Sequence, residues 1–465
     1  MNQSFFKDKK ITVYGLGLHG GGVGIVKFLI ASGAKVIVTD IKTKEQLEPS
    51  IEKLKGLKNI QYVLGQHRSE DFTKVDMVVK LPPIPWSDKH IKLALENNIP
   101  VEMDSSLFFK LCKNPIIGVT GTKGKTTTAT LIYEILKSAG KSPIKIGIGQ
   151  VPVLDKLLVL KKDSIPVFEL SSWRLSALGR AKLSPHIAVF KNILPDHLNY
   201  YGNMEKYLED KKYIFLNQKS RDWLIINKDD NLLDEITKKA GSQIIRFSYE
   251  RLEGGRAVFI EDDFIYLNNG IDVKKLVSVK DIPIPGKHNL SNVMAAIGAA
   301  YAFGISAAEI KKALPQLKGP AHRLEFVSEI NGVKYYNDTT ATIPDAAISA
   351  LEAFGQPVIL IAGGTDKNLD FKEFAKIVLE KTKHLVLLKG NATEKILDEI
   401  RKITSTESPS LVEVVDSMED AVLIAQKNAQ NGDIVLLSPG AASFGLFANE
   451  FDRGEKFREA VKKLK

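Results

Sequence analysis

The stretch "PIIGVTGTKGKTTTATLIYEILKSAG", residues 115–140, carries the most informative pattern in the chain. A short apolar run leads into a segment rich in glycine and threonine, and an amphipathic pattern with helical spacing follows. This order predicts a buried strand, a loop and a helix whose N-terminal N–H groups favour phosphate oxygens. The Lys125 side chain can reach the outer phosphates of a nucleotide, and the Thr126 hydroxyl can bind Mg²⁺.

The glycine spacing in this loop differs from the usual pattern, G-x-x-x-x-G-K-[ST]. Gly118 leaves five residues before Gly124, and Gly121 leaves two. We therefore interpret the segment as a variant phosphate loop. Its predicted nucleotide-binding residues are Gly121, Thr122, Lys123, Gly124, Lys125, Thr126 and Thr127.

Short apolar runs alternate with helical patterns on both sides of this loop, which predicts parallel sheets covered by helices. Four such runs precede it: "KITVYG", "KVIVTD", "IQYVLG" and "VDMVVK". A third alternating unit begins at about residue 321, and linkers with proline lie near 112–115 and 317–322. The expected fold class is α/β with three consecutive domains: a Rossmann-like domain (1–112), a central phosphate-loop domain (113–320) and a C-terminal Rossmann-like domain (321–465). Within the central domain, the runs "QIIRFSY", "RAVFIE" and "DFIYLNNG" predict a small antiparallel sheet.

A second glycine-rich loop lies in "ITVYGLGLHGGGVG", residues 11–24. Gly15, Gly17 and Gly20 follow an apolar run, and Asp40 ends the next one. That spacing is typical of a dinucleotide-binding fingerprint, in which the acid binds a ribose hydroxyl. Taken alone, the loop indicates either a nicotinamide-dependent oxidoreductase or a site for another nucleotide.

Two polar residues follow further predicted strands of the central domain. Glu169 ends "IPVFEL", and His197 follows "HIAVF" after a short loop. The carboxyl ends of parallel strands meet at one sheet edge, so both could converge with Lys125 and hold Mg²⁺. Lys211 lies on a helix four residues after Tyr207, where a second cation would repel the metal.

Composition restricts the function classes. The chain has 44% hydrophobic and 26% charged residues, a single cysteine and a net charge of +10. Because its lysines are spread out, with no dense basic run, we expect anionic small substrates and no nucleic acid. We expect neither a signal peptide nor membrane insertion, since charges interrupt every apolar stretch. A reducing cytoplasm is the predicted location, and the protein is expected to be a monomer.

Several motifs, taken together and in order, resemble those of the Mur ligases, which are ATP-dependent amide-forming enzymes of peptidoglycan synthesis. The resemblance covers essentially the whole chain. It rests on the motifs "GTKGKTTT", "ELSSWRL", "DHLNYYG", "EKYLEDK", "GKHNLSN", "HRLE", "NDTTAT", "GGTDKNLDF" and "SPGAASFGLFANEFDRG".

The resemblance implies roles for the residues of the central domain. ATP and two Mg²⁺ ions are the expected cofactors, and Lys125, His197 and Lys211 are the expected catalytic residues. Lys211 would carry CO₂ as a carbamate, with Lys212 as the neighbouring alternative. An anionic carbamate can bind Mg²⁺ where an ammonium cannot. The implied metal ligands are Thr126, Glu169, His197 and Lys211.

The resemblance also implies contacts to the nucleotide and to the other substrates. Further ATP contacts would come from Asn289, Asn292, Arg323 and Asp338, although Asn289 could instead be a helix N-cap. The UDP-muramoyl substrate and the incoming glutamate would be bound by Gly15, Leu16, Gly17, Leu18, His19, Asp40, Ser171, Lys367, Ser443 and Phe444.

Within the family, the likeness is greatest to the enzymes that add D-glutamate to UDP-N-acetylmuramoyl-L-alanine. Three positions depart from that pattern: Thr340 replaces a lysine, Ile148 replaces an asparagine in "IGIGQVP", and Glu450 replaces an aromatic residue. The alternatives are therefore a ligase of the family that adds another amino acid or L-glutamate, and the nicotinamide-dependent oxidoreductase.

Overall fold

The computed structural model describes residues 1–148, 152–238, 240–404 and 412–464. Within these residues the strands form three sheets, of five, nine and six strands in chain order. The chain divides into two compact units, which are described separately. One comprises Met1–Val279 and Ser291–Leu314, and the other comprises Lys280–Leu290 and Pro315–Lys465.

The first sheet is entirely parallel, with the order β3-β2-β1-β4-β5. Its elements are β1 (Lys10–Tyr14), α1 (Gly21–Ala31), β2 (Lys35–Asp40), α2 (Lys44–Ile51), β3 (Ile60–Leu64), α3 (Glu70–Thr73), β4 (Met77–Lys80), α4 (Lys89–Glu96), β5 (Val101–Glu102) and α5 (Asp104–Leu111). The strand order reverses between β1 and β4, which is where α/β sheets bind ligands. The glycine-rich loop after β1 therefore lies at the switch point.

The second sheet has the order β14-β13-β12-β11-β10-β9-β6-β8-β7. Its strands are β6 (Ile117–Thr120), β7 (Ser142–Ile146), β8 (Ser164–Glu169), β9 (Ile187–Phe190), β10 (Trp223–Asn227), β11 (Gln243–Ser248), β12 (Arg256–Glu261), β13 (Phe264–Asn269) and β14 (Val273–Ser278). The accompanying helices are α6 (Lys125–Ser138), α7 (Ser172–Arg180), α8 (Leu198–Tyr201), α9 (Met204–Lys212), α10 (Asn231–Thr237), α11 (Lys287–Ala302) and α12 (Ala307–Ala313). In this sheet β6 lies between β8 and β9 and is parallel to both. The phosphate loop, which follows β6, therefore lies at the same sheet edge as the residues that follow β8 and β9.

The antiparallel part of this sheet differs from the prediction. β11 pairs in parallel with both β10 and β12, and only β12, β13 and β14 pair antiparallel. These strands extend the central sheet and do not form a separate small one. Turn residues between the apolar runs indicated the hairpins, but they carried no information on which sheet the hairpins would join.

The third sheet, in the second compact unit, has the order β15-β16-β20-β17-β18-β19. Its elements are β15 (Glu325–Ile330), β16 (Val333–Asn337), α13 (Pro344–Leu351), β17 (Val358–Gly363), α14 (Lys372–Lys381), β18 (Thr382–Leu388), α15 (Asn391–Thr404), β19 (Val412–Val415), α16 (Met418–Lys427), β20 (Ile434–Leu437) and α17 (Glu450–Lys463). All pairs are parallel except the hairpin of β15 and β16. The fold class is thus α/β with Rossmann-like sheets at both ends, as the sequence predicted.

Both predicted linkers lie in irregular segments, one between α5 and β6 and the other before β15. The domain boundaries at 112/113 and 320/321 stay predictions. Among the described residues, the structure contains no helix with the length and apolar character needed to cross a bilayer.

Candidate active site

The phosphate loop, residues 121–124, connects β6 to α6. Gly121 and Gly124 have φ angles of +155° and +80°, a region that favours glycine. A Cβ atom on Gly124 would lie 2.4 Å from Oδ1 of Asn292, and one on Gly121 would lie 2.8 Å from Cβ of Lys191. No side chain caps the N-terminus of α6 at Gly124. The loop therefore packs closely against Asn292 and Lys191. At the N-terminus of α6 it has the geometry that suits an anion.

Asn192, two residues after the end of β9, holds this loop in place. Its Oδ1 atom accepts hydrogen bonds from the backbone N–H groups of Thr122 and Lys123, both at 2.9 Å. Its Nδ2 donates back to the Lys123 carbonyl at 3.2 Å. Asn192 could not be predicted from sequence, because an asparagine after a strand carries no local signal for a partner about 70 residues away.

Two lysine side chains converge on the carbonyl oxygen of Gly121. Nζ of Lys125 lies 3.1 Å from it and 2.9 Å from the Thr122 carbonyl, and Nζ of Lys211 lies 2.8 Å from it. Lys211 is 1% exposed. Its burial, together with the Lys125 ammonium, holds the pKa of the Lys211 amine well below the ordinary value, while Asp196 opposes the shift. Burial therefore favours the neutral form of the Lys211 amine over its charged form.

Thr126 and Glu169, two predicted metal ligands, are in direct contact. The Thr126 hydroxyl donates to Oε2 of Glu169 at 2.8 Å. Thr126 is in the first turn of α6 and Glu169 ends β8, so the contact joins the phosphate loop to the neighbouring strand end. Thr127, the next residue of α6, is buried. A hydroxyl and a carboxylate beside a phosphate loop are oxygen donors of the kind that Mg²⁺ prefers.

His197 and α9 approach the loop from the other side. The His197 ring packs against Trp173 at 4.9 Å and lies 6.3 Å from the Tyr207 ring, centroid to centroid. The Tyr207 hydroxyl lies 3.2 Å from the Thr122 hydroxyl, and its ring lies 4.8 Å from Nζ of Lys211. The predicted helix face with Tyr207 and Lys211 is thus directed at the loop. Among the described residues, no group of three or more His, Cys, Asp or Glu could hold a metal ion.

Lys191 is a second buried lysine of this region, below the loop. It is 1% exposed, and its Nζ donates to the Ser291 hydroxyl at 2.6 Å and lies 4.7 Å from the centroid of the Phe247 ring. Burial lowers the pKa of its amine well below the ordinary value. Between the pKa of the folded state and that of the unfolded state, the unfolded chain therefore binds one more proton at this position.

This difference predicts a pH dependence of stability. Because the unfolded state binds the extra proton between the folded pKa and about 10.4, the free energy of unfolding rises with pH in that window, by up to about 1.4 kcal/mol per unit. We expect the Lys191→Met variant to lack this contribution. Denaturant titrations at pH 7 and 9.5 should therefore show wild type gaining stability relative to the variant at the higher pH. Parallel curves would contradict the assignment of a neutral amine.

The glycine-rich loop of the first sheet is held by Asp40. Oδ2 of Asp40 accepts from the backbone N–H groups of Leu16 and Gly17 at 2.8 and 3.2 Å. Oδ1 accepts from the N–H of Lys42 at 3.0 Å. Asp40 is only 7% exposed, so its evident structural role is to fix the turn. Its predicted contact to substrate stays a prediction.

Two glycines that follow this loop, Gly22 and Gly24, have a packing reason that the sequence did not reveal. A Cβ on Gly22 would lie 2.3 Å from the carbonyl oxygen of Leu16, and one on Gly24 would lie 2.5 Å from Cβ of Pro152. Because these two positions have no side chain, helix α1 can pack closely against the backbone at Leu16 and against Pro152. A cavity of about 310 Å³ opens here. It is lined by Leu18, His19, Gly20, Val23, Gly24, Lys27, Lys53, Pro152 and Asp155.

Ser171 and Asn292 have clear structural partners. The Ser171 hydroxyl is the N-cap of α7 and accepts from the Arg174 N–H at 3.3 Å. Oδ1 of Asn292 accepts from the Thr128 hydroxyl at 3.1 Å, which ties α11 to α6. The predicted substrate and adenine contacts of these two residues stay predictions.

In the second compact unit, Asn289 is not the N-cap that the sequence allowed. It lies inside α11, and its Nδ2 donates to the Pro285 carbonyl at 2.7 Å. Asp338 supports the loop that carries Arg323, since its carboxylate accepts from the N–H of Leu324 at 3.1 Å and from the Ser438 hydroxyl at 3.0 Å. Burial raises the pKa of Asp338 to about 7.

The loop with Arg323 is strained as well as supported. His322 and Leu324, on either side of it, have φ angles of +65° and +44°. Such conformations persist where the surroundings fix them, and they concentrate at functional sites. The Thr340 hydroxyl donates to the His322 carbonyl at 2.8 Å, so the residue that replaces the expected lysine stabilises this loop. Arg323 itself is exposed.

Lys367, Ser443 and Phe444 come together at the carboxyl edge of the third sheet. The Lys367 ammonium lies 6.0 Å from the Phe444 ring centroid, and an isolated bridge pairs Thr365 with Ala442. Ser443 is buried and Phe444 is 56% exposed. The sequence missed the residue that supports this edge, Arg453.

Arg453 lies on α17 and is fully buried. It donates to the Thr339 hydroxyl and carbonyl at 3.0 and 2.9 Å and to the Ala441 carbonyl at 3.2 Å. The Thr339 hydroxyl in turn donates to the carbonyl of Glu450 at 2.8 Å. Glu450 therefore contributes its backbone to this edge. Ile148, the remaining position that departs from the family pattern, is buried. Residues 149–151, which follow it, lie outside the described part of the chain.

Comparisons with known proteins agree with this arrangement. Three family profiles match successive segments: a Mur ligase MurD-like N-terminal domain at residues 9–102, a Mur ligase middle domain at 119–300 and a Mur ligase, glutamate ligase domain at 322–440. The UDP-N-acetylmuramoylalanine--D-glutamate ligase of Roseiflexus sp. (strain RS-1) is 39% identical over 460 residues, covering 97% of this chain and 98% of the relative. The protein of the same name from Thermoanaerobacter sp. (strain X514) is 38% identical, with 99% of both chains covered.

Solved structures show the same fold at lower identity. A UDP-N-acetylmuramate-alanine ligase from Thermotoga maritima matches with a TM-score of 0.58 and 19% identity, over 98% of this chain and 100% of its own. A MurF ligase from the same organism, in complex with ADP, matches with a TM-score of 0.57 and 18% identity, over 100% and 96%. Since the three matched domains follow the order of the three sheets, and relatives at nearly 40% identity align over almost their whole length, the chain belongs to the Mur ligase family.

Proposed function

We propose that this chain adds D-glutamate to UDP-N-acetylmuramoyl-L-alanine, with ATP, in the synthesis of peptidoglycan precursors. Mur ligases are ATP-dependent amide-forming enzymes, and family membership decides against the nicotinamide-dependent oxidoreductase. The observation that carries the proposal is the contact between Thr126 and Glu169, beside a loop on which Lys125 and Lys211 converge. The names of the full-length relatives support the choice of D-glutamate.

The reaction needs activation because a carboxylate does not react with an amine at neutral pH. Transfer of the γ-phosphoryl group of ATP to the substrate carboxylate makes an acyl phosphate. The amine of glutamate attacks its carbonyl carbon, the tetrahedral intermediate expels phosphate, and an amide forms. The protein contributes positioning and charge stabilisation. Lys125 neutralises the transferring phosphoryl group from the phosphate loop.

Two Mg²⁺ ions would be held by Thr126, Glu169, His197 and a carbamate on Lys211. When bound, they neutralise phosphate charge and polarise the phosphoryl oxygens. A carbamate forms when a neutral lysine amine attacks CO₂ and loses one proton. The lowered pKa of Lys211 supplies that neutral amine. The product is an anion beside the Lys125 ammonium, where the unmodified protonated amine would be a second cation.

The substrates are assigned to the two Rossmann-like domains, with boundaries at 1–112 and 321–465. The UDP group of the muramoyl substrate lies at the first glycine-rich loop, where Gly15, Leu16, Gly17, Leu18, His19 and Asp40 contact it, and Ser171 contributes from the central domain. The glutamate carboxylates bind Lys367 and Ser443, and Phe444 is a further substrate contact. Asn289, Asn292, Arg323 and Asp338 complete the ATP site. A monomer in the cytoplasm is part of the same proposal.

A phosphate-release assay tests the amino acid. With ATP, Mg²⁺ and UDP-N-acetylmuramoyl-L-alanine, we expect D-glutamate to support turnover and L-glutamate to give at most about a hundredth of that rate, because stereochemistry sets which groups reach the acyl carbon. Omission of either the UDP substrate or the amino acid should reduce release to background. Release at full rate with L-glutamate or another amino acid would overturn the D-glutamate assignment.

A second candidate, a ligase of the same family with a different amino acid, rests on one observation. Thr340 occupies the position of a lysine in the D-glutamate enzymes and is committed to the His322 carbonyl. The site therefore has one cation fewer for a second carboxylate. A screen of amino acids in the same assay distinguishes the two candidates.

A further inference from the structure

Arg174, two positions into α7, is linked to three separate segments of the first compact unit. Nη2 donates to Oδ2 of Asp104 at 2.9 Å, and both side chains are largely buried, at 16% and 3% exposed. Nη1 is shared between the carbonyl oxygens of Gly147 and Glu169, at 3.4 Å each. The guanidinium carbon lies 5.5 Å from the Phe168 ring centroid. One side chain therefore connects α5, the segment after β7 and the end of β8.

The contacts to Arg174 constrain it tightly. The Ser105 hydroxyl donates to the Arg174 carbonyl at 3.0 Å, so α5 holds the main chain as well as the side chain. A Cβ atom on Gly147 would lie 2.5 Å from Nη1 of Arg174. Glycine is therefore needed there for the guanidinium to approach the backbone.

The position of the Glu169 carboxylate depends on this arrangement. On one side, Glu169 is in register with Val119 of β6. The N–H of the next residue, Leu170, donates to the Val119 carbonyl at 2.9 Å. On the other side, the carbonyl of Glu169 accepts from Arg174. The carboxylate is thereby directed to the Thr126 hydroxyl. Without Arg174, the strand end would lose its contact to a guanidinium, and the buried Asp104 would lose its described guanidinium partner.

We infer that Arg174 is a positioning residue for the metal site, holding the Glu169 main chain so that its carboxylate faces Thr126 and coupling this strand end to Asp104 of α5. The inference rests on the proposed role of Glu169 as a metal ligand. Groups that orient metal ligands from outside contribute about 10- to 100-fold to metal affinity. Arg174 acts through a main-chain carbonyl, so its effect appears in metal binding even where the substrate still binds.

Arg180, on the same helix, offers a matched control. Its guanidinium carbon lies 4.3 Å from the centroid of a ring of Trp86, which belongs to the same N-terminal segment as Asp104. Its described contacts do not include Glu169 or Gly147. An arginine-to-methionine change at residue 180 therefore removes a cation from α7 and a contact to the N-terminal segment without touching the strand end.

Binding of Mn²⁺ in the presence of ADP, followed by the electron paramagnetic resonance signal of free Mn²⁺, tests the inference without turnover. We expect Arg174→Met to weaken Mn²⁺ binding about 10- to 100-fold and Arg180→Met to change it less than about twofold. Arg174→Lys keeps the charge facing Asp104 but has a single nitrogen for three acceptors, so an intermediate loss is expected. If Arg174→Met fails to fold, as judged by circular dichroism, Arg174→Lys carries the test.

Glu169→Gln separates this inference from the function on which it rests. If Glu169→Gln binds Mn²⁺ as wild type does, the metal assignment of Glu169 itself is wrong. If Glu169→Gln weakens binding while the folded Arg174 variants bind Mn²⁺ like wild type, the positioning role is overturned. An equal loss in Arg174→Met and Arg180→Met would also overturn it, because the effect would then follow the contact with the N-terminal segment.

Discussion

Replacement of Lys125 by alanine is expected to reduce phosphate release by at least about 10²–10³-fold, the range for loss of one preorganised group that stabilises transition-state charge. Nζ of Lys125 lies within 3.1 Å of two loop carbonyls, at the N-terminus of α6 where the nucleotide phosphates are proposed to bind. The transferring phosphoryl group gains negative charge on its oxygens, and the ammonium is the protein's own counter-charge to it. Alanine keeps the helix and removes the charge.

The same variant should retain the UDP substrate. The proposed contacts for that substrate lie on the first sheet and its loop, which Asp40 holds without any contribution from Lys125. Calorimetric titration of UDP-N-acetylmuramoyl-L-alanine should therefore give a dissociation constant within about twofold of wild type. Lys137→Ala, at the exposed end of the same helix, is the matched control and should keep full turnover. Retention of a tenth of wild-type activity by Lys125→Ala would contradict the assignment.

The local part of this site could be predicted from sequence. A strand, glycines and a helix that follow one another directly in the sequence predict the phosphate loop, and the i, i+4 relation to Tyr207 singles out Lys211. Each of these signals acts within a few residues. Asn192, Arg174 and Arg453 were not predicted, because their partners lie on elements distant in sequence and only packing brings them together.

Charged residues in the loops show the same limit in another form. Asp40 and Asp338 are predicted ligand contacts, and each also accepts a backbone hydrogen bond from a neighbouring loop, at Leu16 and Leu324 respectively. A carboxylate after a strand satisfies either role, and sequence spacing does not separate them. Strand β15 shows the same limit in the fold. Its exposed and partly buried residues do not alternate regularly, so the sequence did not predict it or its antiparallel hairpin with β16.

Replacement of Lys211 by alanine is expected to remove most activity, by about 10³-fold, because a metal ligand and its charge are lost together. The amine is buried, 2.8 Å from the Gly121 carbonyl and close enough to Lys125 for their charges to interact. As a cation it would repel both Lys125 and Mg²⁺. As a carbamate it would attract both. Lys211→Ala removes the carbamate together with the side chain. Lys211→Arg keeps a long side chain but should be equally inactive, because a guanidinium does not form the carbamate.

Short carboxylates distinguish these explanations. In Lys211→Ala the space of the lysine side chain is vacated, so formate or acetate can supply the missing anion, and we expect activity to recover at least about tenfold at high concentration. Lys211→Arg fills that space with a cation and should not recover. Lys212→Ala, one residue further on a half-buried position, should remain active and excludes the neighbouring lysine. Full activity of Lys211→Ala without any added carboxylate would contradict the proposed carbamate, because the site would then work without an anion at this position.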